Sequence, residues 1–355
     1  MSCTQPDKQK VELSAVPVPS DISGAQGSGR RRLFISDNPE SINDSVPFVN
    51  HMATVWHDTV KDSNSVSYRV FLWHYNRLDI PVRAAVTVSN DGVADSANLI
   101  QISKVSVQEV LHTENFLAAG LCMAKALIGG TWNIRPPVDK SVQGGDIGIV
   151  YEMQMNPNTL SGAVVEFTVK QKKKRKRALQ FMVRSVLANH DCAELRTHRE
   201  PPVTPNSPHP RGSWDFADIR GNSISFDVRQ GEQSVSIMGK GNDFLYKAAL
   251  SYDPEHAFDN KGQYGAKYKV SVRLINRTHK AKQVAVYLNP RGGAFAGAVK
   301  IKGVTYGVPI VKAPNEACEL MNVTVRAHSV LNIPLEIAIA GAASSPIAIL
   351  CRTLN

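Results

Sequence analysis

Two stretches of the chain hold residues whose chemistry stands apart from the rest. The first is Asn289-Pro290-Arg291-Gly292-Gly293-Ala294-Phe295-Ala296-Gly297. Glycines permit positive φ and leave backbone amides open, so Gly292 and Gly293 beside Arg291 describe a place for an anion, with Phe295 as a stacking face. The same residues also describe a plain Gly-rich connection ending a strand. The second stretch is basic. Lys170, Lys172, Lys173, Lys174, Arg175, Lys176 and Arg177 place seven cations in eight residues. Such a run contacts nucleic acid or another anionic polymer, or else forms the solvated tip of a hairpin. It contains no aromatic residue to stack on a base. Arg30, Arg31 and Arg32 form a smaller cluster, and without these two clusters the net charge of +10 falls to about neutral.

Catalytic patterns are missing. There is no P-loop, no GxSxG elbow, no HExxH, and no GxGxxG after a strand. The ten histidines are scattered. His51 and His57 flank a strand, and His74 reads as a hydrogen-bonded or surface histidine. No Asp/Glu pairing suggests acid–base work. No Cys/His spacing suggests zinc, so neither a metal site nor a cofactor is expected. Cys3, Cys122, Cys192, Cys318 and Cys351 show no paired spacing. Cys318 and Cys351 fall in apolar strand-like runs and read as buried free thiols. Trp56, Trp73, Trp132 and Trp214 describe either a sugar platform or, more simply, core and interface residues.

The elements that position these residues repeat. YRVFLWHYNRLDIPVRAAVTVSNDG (68–92) matches YKVSVRLINRTHKAKQVAVYLNPRG (268–292) without a gap, placing Tyr68 on Tyr268, Asn76-Arg77 on Asn276-Arg277 and His74 on Leu274. Each copy is two alternating apolar/polar runs around a polar break, the pattern of paired half-buried strands. IVYEMQMNPNTLSGAVV (149–165) aligns with IPLEIAIAGAASSPIAI (333–349), placing Glu152 on Glu336. Two homologous all-β domains in tandem follow, each an antiparallel sandwich of Ig-like or jelly-roll-like type. The boundaries read as a flexible Ser/Pro/Gly-rich tail at 1–29, a first sandwich at 30–190, a Pro-rich linker at 191–212 and a second sandwich at 213–355. One helix is expected at 106–128, opened by a Ser106-x-x-Glu109 capping box, stopped by Gly129-Gly130 and packed over the first sandwich.

At 355 residues, 43% hydrophobic and 20% charged, the chain can bury two cores. No apolar run reaches the ~20 residues that span a bilayer. The opening residues carry no apolar core of a secretory leader, which leaves a cytoplasmic location open.

HPRGSWDFAD (209–218), NKGQYGAKYKV (260–270) and YLNPRGGAFAGAVKIKGVTY (287–306) resemble the C-terminal part of a group of uncharacterised secreted bacterial surface proteins. There, HxRGTF, NKGNYGVxY and NPRGGAFxG segments follow in the same order. SDNPES, VWHDTV and YRVFLWHYN are similar to that group's SDxPE, LYRDTV and xRLLYHHxN. Members often carry a stalk domain of the copper-amine-oxidase N-terminal type. The resemblance implies an extracellular or cell-surface location and no enzyme activity. It adds His209, Arg211, Trp214 and Tyr264 to Arg291, Gly292, Gly293 and Phe295 as candidate binding residues. The expected function is a non-enzymatic surface or assembly protein that presents sandwich loops to a partner, either its own copies or a surface polymer. A carbohydrate-binding module and a nucleic-acid-associated or capsid-like double sandwich are the alternatives.

Overall fold

The computed structural model describes residues 5–63, 65–92, 98–172, 179–239, 245, 247–248 and 251–354. It is an all-β protein of two sandwiches with one helix. Three short strands come first: β1 (Lys10–Glu12), β2 (Ser20–Asp21) and β3 (Gln26–Ser28). The first sandwich follows with β4 (Arg31–Ser36), β5 (Ser41–Ile42), β6 (Met52–Ser63), β7 (Ser65–Asn76), β8 (Val82–Asn90), β9 (Ile100–Ile102) and β10 (Val105–Thr113). After α1 (Phe116–Gly129) come β11 (Asn133–Arg135), β12 (Ser141–Val142), β13 (Ile147–Met155), β14 (Thr159–Gln171) and β15 (Leu179–Ala188). The remainder holds β16 (Arg211–Trp214), β17 (Asp218–Arg220), β18 (Ile224–Asp227), β19 (Glu232–Ile237), β20 (Lys267–Asn276), β21 (Lys282–Pro290), β22 (Ala294–Ile301), β23 (Val304–Lys312), β24 (Glu316–Val325), β25 (Ser329–Ile339) and β26 (Ile347–Leu354).

In the first sandwich, β13-β8-β15-β6 faces β11-β10-β14-β7-β4-β16. In the second, β1-β24-β21-β26-β19-β2 faces β23-β22-β25-β20-β17-β3. Most pairs are antiparallel, but β4 runs parallel to β7 and β17 runs parallel to β20 at the equivalent place.

The duplication extends to single atoms. The side-chain amide of Asn76 donates to the carbonyls of Ile80 (2.8 Å) and Met155 (3.2 Å), while its Oδ1 accepts from the Leu78 amide. Asn276 does the same with Lys280 (2.8 Å), Val325 (2.9 Å) and the Thr278 amide. A bulge skips Val150 opposite Val86–Thr87, and another skips Leu320 opposite Val286–Tyr287. The second sequence match needs correction. Glu166 faces Arg69 across β7–β14, and Glu336 faces Lys269 across β20–β25. The counterpart of Glu336 is therefore Glu166, not Glu152, which lies in the opposite sheet. Alternation alone tolerates a register error of any even number of residues, so an apolar match of this kind aligned the wrong strands.

The helix also starts later than its capping box implied. Ser106 and Glu109 lie in β10, where the valines at 105, 107 and 110 build a strand edge, and Ser106 faces Glu166. The true cap is Asn115, whose side chain accepts the Ala118 amide, while Gly130 closes the helix in the left-handed region. In the second sandwich a two-residue turn, Lys302-Gly303, with both φ positive, joins β22 to β23 where the first carries α1. Nor does α1 cover the first sandwich alone. It lies between β10 and β14 on one side and β22, β23 and β25 on the other. At Gly120 a Cβ would run into the backbone of Gly341, so only glycine lets the helix come this close.

The expected flexible tail is ordered over residues 5–28 and belongs to the second sandwich. β1 pairs with β24, β2 with β19 and β3 with β17. Leu13 and Ile22 are buried, Lys10 meets Glu316 at 2.9 Å, and the Asp7 carboxylate meets Lys125 of α1 at 2.8 Å. Strands of two or three residues are too short to leave a periodic signal, so composition alone misled. The linker boundary shifts for a related reason. β16, at the expected start of the second sandwich, pairs with β4 of the first. The segment 26–36 therefore runs antiparallel to 211–220 at both of its ends: β3 against β17 and β4 against β16. Each sandwich takes its outermost strand from the segment that leads into the other.

The first sandwich keeps its own core, but the outer face of its larger sheet joins the core of the second. Tyr68, Val70 and Leu72 of β7 point into the first sandwich, but Phe71 and Trp73 on its other face join one apolar cluster with α1 and the interior of the second. β7 is thus buried on both faces, whereas β20 keeps the alternation that both copies were expected to show. Cys318 and Cys351 are free and buried. They flank β21 opposite Leu288 and Val286. Among the described residues no helix is long and apolar enough to cross a membrane.

Candidate site at the seam between the sandwiches

The Gly-rich loop is occupied by its own neighbours. The Asn289 amide donates to the carbonyls of Pro314 (2.7 Å) and Glu316 (3.0 Å), and the Arg291 guanidinium donates to Asn289 Oδ1 (3.2 Å). The amides of Arg291 and Gly292 both donate to the Pro346 carbonyl. A Cβ on Gly292 would strike the Ser345 carbonyl, so this glycine admits a second loop rather than an anion. Gly293 has φ of 138°, in the range that favours glycine. Phe295 is buried in the second sandwich and has no face for stacking on a ligand.

Arg211 and Trp214 are likewise enclosed. Arg211 is fully buried and donates to the carbonyls of His256 (2.8 Å), Val55 (3.2 Å) and Val203 (2.7 Å). Burial pulls its pKa down to about 10, so it stays charged near neutral pH. Three of the four tryptophans, Trp56, Trp73 and Trp214, are buried, leaving only Trp132 partly exposed. Of the arginine cluster, Arg31 pairs with Glu166 (3.1 Å). Arg32 pairs with buried Asp58 (2.8 Å) and lies 3.7 Å from the Tyr252 ring centre. Lys170 and Lys172 are exposed, while Lys173, Lys174, Arg175, Lys176 and Arg177 lie outside the described residues.

His209 and Tyr264 do come together, with two acids that the sequence did not single out. β4 ends at Ser36, and the turn Asp37–Glu40 leads into β5 beside β7. The Asn38 amide reaches from this turn to the carbonyls of Ser207 (2.6 Å) and His209 (2.8 Å), clamping the incoming linker. That clamp sets His209 Nε2 at 3.1 Å from Glu40 Oε2 and Nδ1 at 3.7 Å from Asp37 Oδ2. Asp37 is buried, and its Oδ1 has no hydrogen-bond partner. Burial raises its pKa to about 7, and the neighbouring Asp37 carboxylate holds the His209 imidazolium above its ordinary range.

Tyr264 closes the other side. Asn260 holds its backbone at both ends, its hydroxyl donates to the Ala343 carbonyl (2.8 Å), and its ring stacks on Phe71, which stacks on Trp73. A cavity of about 20 Å³ lies between these groups, walled by Asp37, Glu40, Phe71, Trp73, His209 and Tyr264. One ligand atom from each of Asp37, Glu40 and His209 lies within 4.8 Å of the others, a set able to hold a metal ion. The first sandwich, the linker and the second sandwich all contribute to the cavity.

Two further arrangements bear on chemistry. Ser36 Oγ lies 3.1 Å from His74 Nε2, and His74 Nδ1 lies 2.9 Å from the Pro39 carbonyl. This has the spacing of a nucleophile and base, but both side chains are buried and His74 is pulled down to about 4 by burial, so the pair is closed to substrate. At the seam, Arg69 donates to Glu166 (2.8 Å) and Asp218 (2.9 Å), and Lys269, its counterpart in the second copy, meets the same Asp218 (2.9 Å). An open cleft of about 480 Å³ adjoins it, lined in part by Arg220, Lys269 and Glu336.

No protein-family model and no curated protein sequence matches the chain. Among solved structures, the CUB1-EGF-CUB2 region of human MASP-1/3 aligns with a TM-score of 0.21 at 9% identity, over 84% of this chain and 99% of that one. The tandem CBM22 domains of Xyn10C from Paenibacillus barcinonensis align with a TM-score of 0.17 at 8% identity, over 96% and 92%. The pre-peptidase C-terminal domain of collagenase from Bacillus anthracis aligns with a TM-score of 0.18 at 6% identity, over 37% and 94%. At such scores these are neighbours among β-rich folds and no more.

Proposed function

We propose that the chain is a non-enzymatic interaction protein, of the surface or assembly kind that the NPRGGAF resemblance implies, and that it works outside the cell. The observation that supports this reading is the fused body. Exchanged strands and one apolar cluster tie both sandwiches together, so the loops of both are held at fixed separation for a macromolecular partner. Three alternatives find less support. A sugar platform needs exposed aromatic rings, and three tryptophans are in the core. For the nucleic-acid alternative, Arg31 and Arg32 are paired, while most of its main element, the run 170–177, lies outside the described residues. Catalysis needs an accessible nucleophile and base, and Ser36 and His74 are sealed.

The test is a surface-binding panel on the intact chain, with immobilised copies of itself, cell-wall polysaccharide and duplex DNA. It is run beside ester, glycoside and phosphoester turnover assays. Expected is retention on protein, with affinity changing little from about 50 to about 200 mM salt, and no turnover. DNA binding that collapses over that salt range supports the nucleic-acid alternative and overturns this reading. So does turnover that disappears on Ser36→Ala substitution.

A further inference from the structure

We propose that Asp37, Glu40 and His209 bind one divalent transition-metal ion of the zinc class, which pins the linker to the first sandwich. Two observations carry the inference independently. The first is geometric. Two carboxylates and an imidazole, drawn from segments far apart in sequence, bring ligand atoms within 4.8 Å of one another. Metal–ligand distances of about 2.0–2.2 Å set ligand atoms about 3.4 Å apart, so the side chains must close inward on the ion. The second is Asp37 Oδ1, a carboxylate oxygen in a nearly fully buried side chain with no hydrogen-bond partner, on a residue that lines the cavity.

A buried carboxylate is costly unless paired. Among the described residues no lysine or arginine forms an ion pair with Asp37; its charged neighbours are His209 and Glu40. A divalent ion balances the two acids, with neutral His209 as third ligand. The cavity of about 20 Å³ has room for a single ion or water and none for an organic ligand. Phe71, Trp73 and Tyr264 supply an apolar wall on the inner side, while His209 and Glu40 leave the outer side open to solvent. The imidazole selects against Mg²⁺ and Ca²⁺, which prefer all-oxygen shells. His209 comes just before β16, so the ion fixes the point where the linker enters the exchanged ladder.

The experiment uses the full chain, dialysed against chelator and then titrated with Zn²⁺ by calorimetry and by thermal melting. Expected is one equivalent bound with a raised Tm, while Mg²⁺ and Ca²⁺ leave the melting curve unchanged. Glu40→Gln and His209→Gln should each weaken Zn²⁺ binding at least tenfold. Asp37→Asn should do the same, and far-UV circular dichroism identifies any variant that fails to fold. His279 and His328 form an exposed pair at 3.0 Å that could chelate zinc on its own, so the His279→Asn/His328→Asn double variant is the control. It should bind as the parent does. Absence of binding overturns the proposal, as does binding that survives Glu40→Gln and His209→Gln or is lost in the double variant.

Discussion

His74 stands where the second sandwich has Leu274, and the difference has a measurable cost. The imidazole is buried against Ser36 and the Pro39 carbonyl, and burial holds its pKa near about 4. An unfolded histidine takes a proton near pH 6.5. As pH falls from about 6.5 toward about 4, the unfolded chain therefore binds the proton first, and folded stability declines; above 6.5 the full stability is present. The loss should reach about 3 kcal/mol across that window. Urea titrations in EDTA at pH 7.5 and 4.5 test this. The gap between parent and His74→Leu should shift by about that amount, and parallel pH curves would show that His74 does not carry the effect. The sequence left His74 as either a hydrogen-bonded or a surface histidine, and the structure seals it, because its enclosure depends on the turn after β4. Residue chemistry was harder to read still. Asp37, Glu40 and His209 sit in SDNPE and HPRG, two segments that carried the family resemblance, yet no spacing rule joins residues so far apart. Their meeting depends on Asn38 catching the linker backbone. Conversely, Phe295, a candidate by type, and Arg211 and Trp214, candidates by the family resemblance, are enclosed in the fold.

Elements were legible where the chain is periodic over many residues and obscure where it is not. β7, β8, β20 and β21 are strands where alternation puts them. Yet β7 and β8, like β20 and β21, lie in opposite sheets and are not the paired strands the pattern suggested. Alternation says nothing of which strand is the neighbour. β10 and α1 were merged because Val-Ser-Val-Gln-Glu-Val satisfies both a strand period and a capping box, and only the partner strand β14 decides between them. The real helix tests a conflict between local preference and contact. Alanine at Gly120 should favour the helix by about 1 kcal/mol from propensity alone. Its Cβ, however, would meet the backbone of Gly341 and the Ala340 side chain, and backbone does not give way cheaply. Gly120→Ala is therefore expected to lower Tm, with Gly129→Ala, where the new methyl meets only ordinary contacts, as the control. A Gly120→Ala variant that melts higher than the parent would mean that the helix and the second sandwich are not in this contact.

The whole molecule departs furthest from what the sequence suggested, since tandem domains on a stiff linker are expected to melt separately. Here β1, β2 and β3 from the first residues complete the second sandwich, and β16 completes the first. Calorimetry of the full chain should show one transition. Deleting residues 1–29 should destabilise the second sandwich, not merely trim a loose end; an unchanged melting curve would refute that. The exchanged ladder also governs the order in which the protein can be made. β1 is made well before its partner β24, which comes late in the second sandwich. β1 must therefore stay unpaired until β24 has been made, whereas β3 and β2 find their partners β17 and β19 earlier. The first sandwich has all its strands once β16 has been made, whereas the second closes only with β24, β25 and β26, so the two finish in turn.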